Sequence, residues 1–192
     1  NKKASVEKGG VNPLVAMLSS DSPEAQKHAA GALWQLAALG HKRATIVSAG
    51  AIPLLVKLLA QTENANRANG TDELMAQTQR FATGALWHLA SSADNKTEMV
   101  VAGAIPLLVA VLHSKSNDAR ENASAVLSSL ARTQGGNKKA IHNCGGIKPL
   151  VALLSDPKAM TQRHAACALW GRSDGKDGVY DKQIAEAGAI QP

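Results

Sequence analysis

The sequence predicts an all-α protein built as a solenoid of stacked units, three helices to a unit. Three observations carry that prediction. The string "GGVNPLVAML" at 9–18 realigns with "GAIPLLVKLL" at 50–59, "GAIPLLVAVL" at 103–112, "GGIKPLVALL" at 145–154 and "GAIQP" at 188–192. A second phrase, "AAGALWQLA" at 29–37, returns as "ATGALWHLA" at 82–90 and "AACALW" at 165–170. Third, of 192 residues 45% are hydrophobic, yet Phe and Tyr occur once each, so the core falls to Ala, Leu, Val and Ile, the residues of close helix packing.

The repeat fixes the organisation before any single helix is considered. The leading glycines Gly9, Gly50, Gly103, Gly145 and Gly188 are separated by 41, 53, 42 and 43 residues, so a unit has about 42 residues and one carries an insertion of about eleven. The tryptophans give the same register: Trp34 to Trp87 is again 53, and Trp87 to Trp170 is 83, two units, with Ser128 in the skipped place. The expected array has a partial first unit at 1–40 and a second at 41–93 with the insertion at 60–73. A third unit follows at 94–135, a fourth with an irregular end at 136–178, and the start of a fifth at 179–192.

Each unit opens with a short helix such as "KRATIVSA" or "NKTEMVVA", closed by a glycine that adopts positive φ without steric penalty. The second helix starts near a proline, whose missing N–H costs nothing in the first turn, and runs on as "LLVKLL", apolar on nearly every side and therefore buried. A polar turn, "SSDSPE", "HSKSND" or "SDPKAM", then supplies Ser, Asp or Asn to cap the long third helix. Its alanines let neighbouring units approach, which makes it the inner layer. The insertion "AQTENANRANGTDE" is polar and lacks an apolar period, so a mobile loop is expected at 60–73. After Trp170 the pattern fails: "GRSDGKDGVYDK" replaces Leu-Ala, which shortens the last third helix and loosens the stack, with Tyr180 a candidate to cover exposed core. The chain begins with Asn, and neither end shows the polar cap of a terminal repeat, so further units are expected beyond both ends.

These phrases, Gly-Ala-Ile-Pro-Leu-Leu-Val and Ala-Ala-Gly-Ala-Leu-Trp-x-Leu-Ala, resemble the armadillo repeat family over essentially the whole chain. The glycine before Ala-Leu is similar to catenin-type and plant or protist arrays. The importin α branch has tryptophan where this chain has Gly31, Gly84, Ala125 and Cys167. The resemblance implies a right-handed superhelix whose third helices line a concave groove for an extended peptide, gripped by an asparagine ladder. Matched residue by residue, that ladder falls on Gln35, His88, Ser129 and Gly171. None is asparagine; Gln35 and His88 keep donor and acceptor capacity, Ser129 has short reach and Gly171 offers nothing.

Beside the ladder stand Trp34, Trp87 and Trp170, one unit apart but for Ser128. They read either as rigid contacts for a bound segment or as packing between third helices. One to two turns earlier lie Lys27, Arg80 and Arg163, with Glu121 in the third unit, and next to them His28, Phe81, Asn122 and His164. Offsets of three and four put these on the groove side, where basic groups would steer an acidic segment; as ordinary solvated charges they would do nothing specific.

The remaining features point away from other classes. Twenty-one Lys and Arg against 15 Asp and Glu give +6, without the dense basic runs of a nucleic-acid binder. Cys144 and Cys167 form no metal or disulfide motif, His41, His113 and His142 have no metal-ligand offsets, and no catalytic or phosphate-binding motif appears. Sequons at Asn69, Asn95 and Asn122 read as chance triplets, since Asn122 falls inside a helix. No apolar run reaches the ~18 residues of a membrane span. The expectation is a non-enzymatic interaction scaffold without cofactor, metal or small-molecule substrate, cytoplasmic or nuclear, touching membrane only through lipid outside this segment. The alternatives are an assembly subunit docking by its outer faces and a karyopherin-like transport adaptor.

Overall fold

The computed structural model describes residues 10–69, 73–133, 136–170 and 179–188. In chain order they form α1 (Val11–Met17), α2 (Pro23–Ala38), α3 (Arg43–Ser48), α4 (Ala51–Asn69), α5 (Glu73–Leu89) and α6 (Ala93–Val101). There follow α7 (Ala104–Val111), α8 (Asn117–Ala131), α9 (Asn137–Asn143), α10 (Ile147–Ala152) with a 3-10 turn at Leu153–Ser155, α11 (Ala159–Leu169) and α12 (Val179–Glu186). The described residues contain no strand.

Local chemistry explains the punctuation. Pro13, Pro53, Pro106 and Pro149 each stand third in their helix, among the N–H positions that have no intrahelical acceptor. The short first helices stop at glycines in the left-handed region, Gly50 at φ 77° and Gly103 at φ 80° among them, which a Cβ would make costly. Ser22 Oγ accepts the Ala25 N–H at 3.3 Å and Ser116 Oγ accepts the Ala119 N–H at 3.2 Å, the expected caps of α2 and α8. The fourth unit departs from that scheme. Lys158 occupies the cap position of α11, its side chain making no capping bond to the helix, and Asp156 Oδ1 instead accepts the Lys158 N–H at 2.9 Å.

The third helices α2, α5, α8 and α11 pack side by side in succession, and α1, α4, α7 and α10 cover their back. Alanines set the spacing: Ala29, Ala30, Ala82, Ala85, Ala119, Ala123 and Ala165 are buried at these seams. Leu33, Leu86 and Leu127, equivalent positions of three units, are fully buried against the second layer with Leu55, Leu59 and Leu108. Each such leucine contributes about 2 kcal/mol of apolar burial.

The loop expected at 60–73 is corrected by the structure, since α4 continues as helix through Asn69. Helix propagation needs one bond per added residue and no apolar face, and this stretch has no Gly or Pro before Gly70. Thr62 anchors the extension: it is buried, and its Oγ1 donates to the Leu59 carbonyl at 2.8 Å. A polar sequence was compatible with a helix because the buried half of α4 had already nucleated it.

Candidate binding groove

The uncovered face of the third-helix layer carries the residues singled out by register. Gln35 is exposed, and His88 and Ser129 are half-buried at the equivalent places on α5 and α8; Gly171 lies outside the described residues. On the same face Lys27 is half-buried, while His28 and Arg163 are exposed.

The tryptophans divide between the two readings. Trp34 packs across the seam onto α5: a Cβ added to Gly84 would fall 2.7 Å from its Nε1. Its ring lies 5.8 Å from the Phe81 ring at a tilt of 36°. Phe81 in turn fills the notch left by Gly31, where a Cβ would come within 3.3 Å of its ring. Ring and glycine thus interlock in both directions. Trp87 is half-buried, stacked on His88 at 5.0 Å and edge-on to His164 at 5.9 Å. It reaches two units along because α8 carries Ser128 at the tryptophan position, a small side chain 4% exposed. Trp170 ends α11 with ψ 125° and is 80% exposed.

In the charged row expected from sequence, Arg80 is engaged within the fold. The Arg80 guanidinium lies 5.5 Å from the Trp34 ring centroid and 5.3 Å from that of Phe81. Its Nε is 3.4 Å from Asp118 Oδ2 and makes no hydrogen bond. Lys158 Nζ bridges Asp118 Oδ1 at 2.5 Å and Glu121 Oε2 at 3.1 Å. The hydrogen bond from Lys158, with the charges of Lys158 and Arg80 behind it, holds the Asp118 carboxyl below its ordinary range against the opposing effect of burial. Asp118 and Lys158 were missed because both sit in capping turns, where sequence assigns them local duties. Asn122, placed in the groove by register, is buried. Its Nδ2 donates to the Arg80 carbonyl at 3.2 Å, a tie between units rather than a ligand contact. Asn95 likewise donates its Nδ2 to the Leu89 carbonyl at 2.7 Å, so the amides of two of the three sequons are used within the fold, while the side chain of Asn69 lies outside the described residues.

His88 and His164 are held below the ordinary imidazole pKa. For His88 burial is the main cause and the Arg43 charge the second. For His164 burial again leads, followed by Arg163, with Glu121 opposing and Arg132 adding to the depression. His164 Nε2 is buried without a hydrogen-bond partner. Cys167 is half-buried on α11 and Cys144 exposed, both as free thiols. The side chain of Tyr180 lies outside the described residues, and no described helix is long and apolar enough to cross a membrane.

This is a stack of three-helix units with one uncovered inner face, a right-handed α-solenoid of the kind formed by tandem repeats. The pattern of the armadillo/beta-catenin-like repeat matches residues 1–38, 92–132 and 136–170, and the chain belongs to that family. The catenin-like type, expected from the glycines before Ala-Leu, fits. Human junction plakoglobin is 30% identical over 185 residues, covering 91% of this chain and 25% of plakoglobin. U-box domain-containing protein 12 of Arabidopsis thaliana is 38% identical over 92 residues, 47% of this chain and 12% of that protein. The chain therefore spans a quarter or less of these relatives. Among solved structures, computationally designed armadillo repeat proteins for modular peptide recognition superpose with a TM-score of 0.77 at 26% identity, covering 99% of this chain and 76% of theirs. A designed armadillo repeat protein in complex with the peptide (KR)4 gives a TM-score of 0.72 at 25% identity, covering 98% and 75%.

Proposed function

We propose that this array is a non-enzymatic protein-interaction scaffold that holds an extended segment of a partner protein along its third helices, in cytoplasm or nucleus. The carrying observation is the uncovered face of α2, α5, α8 and α11, with Gln35 exposed and His88 and Ser129 half-buried at matched positions. An extended segment offers backbone donors and acceptors at regular intervals, which these side chains match, and a rigid groove confines the ordering cost to the partner. Trp87 and Trp170 supply apolar contact. Trp34, locked on Gly84, and Arg80, laid on Trp34 and Phe81, shape the floor.

An acidic segment suits the residual charge. Asp118 and Glu121 are both engaged by Lys158, while Lys27 and Arg163 have no ion pair among the described residues. A designed relative takes the peptide (KR)4; that cationic sequence would meet Lys27, Arg80, Lys158 and Arg163 here.

The test is selection of binders from a display library of extended peptides, then rebinding to a variant with Gln35→Ala, His88→Ala and Arg163→Glu, all at non-core positions. Acid-rich peptides that bind the wild type and lose the variant are expected. Equal retention by the variant would move binding to the outer faces, and enrichment of basic peptides would favour the karyopherin-like alternative.

A further inference from the structure

Trp87, His88 and His164 form the one aromatic cluster among the described residues that joins second and fourth units directly, α5 to α11 past Ser128 of α8. Its surroundings are one-sidedly positive. From α3 comes Arg43, whose Nε donates to the Ala37 carbonyl at 2.8 Å; from α8 come Arg132 and Glu121, and from α11 Arg163. Glu121, the single carboxylate of the set, is held by Lys158 at 3.1 Å, whereas Arg132 and Arg163 are exposed and without an ion pair among the described residues. Two imidazoles with depressed basicity thus flank one indole, and the described residues around them supply no free anion.

We propose that the Trp87–His88–His164 cluster is a subsite for an acidic side chain of the bound segment, and that filling it takes up protons, so an acidic segment is held more tightly as pH falls toward about 6. The inference rests on the acidic-segment reading above. In the empty groove protonation is opposed by burial and by the arginines. It would put an N–H on both ring nitrogens of His164, and Nε2 has no acceptor among the described residues. A carboxylate placed among these groups reverses the electrostatic part of that opposition, since an opposite charge within about 4–6 Å favours the charged imidazole. Binding and protonation then assist each other by linkage. Indole faces stabilise a neighbouring cation as well, so Trp87 serves the imidazolium that forms against it.

The experiment uses fluorescently labelled hexa-aspartate, whose carboxyls stay ionised well below neutrality with an ordinary pKa of about 3.9. Anisotropy titrations at about pH 7.5 and about pH 5.5, at constant ionic strength, should show affinity at least about threefold tighter at the lower pH, the equivalent of half a pKa unit. The His88→Gln/His164→Gln double variant should lose the gain, its affinity at about pH 5.5 being no tighter than its own affinity at about pH 7.5, while His28→Gln, on the same face in the first unit, should keep it. Should the double variant fold poorly, NMR titration of the wild type replaces it: the midpoints of His88 and His164 should rise on adding hexa-aspartate, and unchanged midpoints overturn the proposal. Binding without pH dependence, or dependence that survives the double variant, overturns the proton-linked subsite alone. No binding at either pH overturns the acidic-segment reading and the subsite with it.

Discussion

At the scale of single residues, the opposed requirements of ring and glycine at one seam are the most testable feature. Alanine at position 84 would gain about 1 kcal/mol in helix propensity over glycine. Its Cβ would nevertheless fall 2.7–2.9 Å from three atoms of the Trp34 indole, a ring already wedged against Phe81. Overpacking of this kind costs about 1–3 kcal/mol, so Gly84→Ala should lower the urea midpoint. The same change in a Trp34→Ala background should be neutral or stabilising, because only the propensity gain is left. Gly31→Ala meets Phe81 at 3.3 Å and should cost less. The sequence held this relation in plain view: the tryptophan of the first unit, Trp34, faces the glycine that stands in the small position of the next, Gly84. Comparison of equivalent positions within units hides it, because the complementary partner lies one unit on.

At the scale of elements, helices and their ends followed from local chemistry, while the interiors of two stretches did not. Ser116→Ala should cost about 1 kcal/mol and speed hydrogen exchange at the Ala119 amide, whose acceptor is the Ser116 hydroxyl. The extension of α4 was hidden from composition because a polar stretch without Gly or Pro is equally suited to a loop and to a helix that continues from a packed one. Cα chemical shifts should read helical without a break from Ala51 to Asn69, and random-coil values from Ala60 onward would refute the extension. Arg80 and Asn122 were expected in the groove, but the acidic partner and the carbonyl that occupy them come from other units, 38 and 42 residues away. Contacts of that range depend on how units stack, which register alone does not specify.

For the whole molecule, pH dependence of stability has a definite sign. His88 and His164 have folded-state pKa values below the ordinary 6.5, so above that pH neither folded nor unfolded chain is protonated there and stability is unaffected. Below it the unfolded chain takes up protons that the folded chain resists, and stability falls. Asp118, depressed chiefly by Lys158, adds a second loss as pH drops through its ordinary 3.8 and on through its lower folded value. Thermal melts should therefore show a Tm that declines from about pH 7 to about pH 5.5, and the His88→Gln/His164→Gln variant should decline less. Saturating hexa-aspartate should offset the decline in the wild type if the imidazoles bind it as proposed.

The contact from Trp87 to His164 bears on how such an array comes apart. Tandem repeats are commonly treated as beads on a string, each coupled only to its immediate neighbours, so that stability is a sum over adjacent interfaces. An indole that touches an imidazole two beads away adds a term this sum omits. Exchanging the bead between them for one with tryptophan in place of Ser128 would displace that indole, and the penalty would be felt in units whose own sequences had not changed. The second, third and fourth units are thus a block to be transplanted whole, not three interchangeable parts.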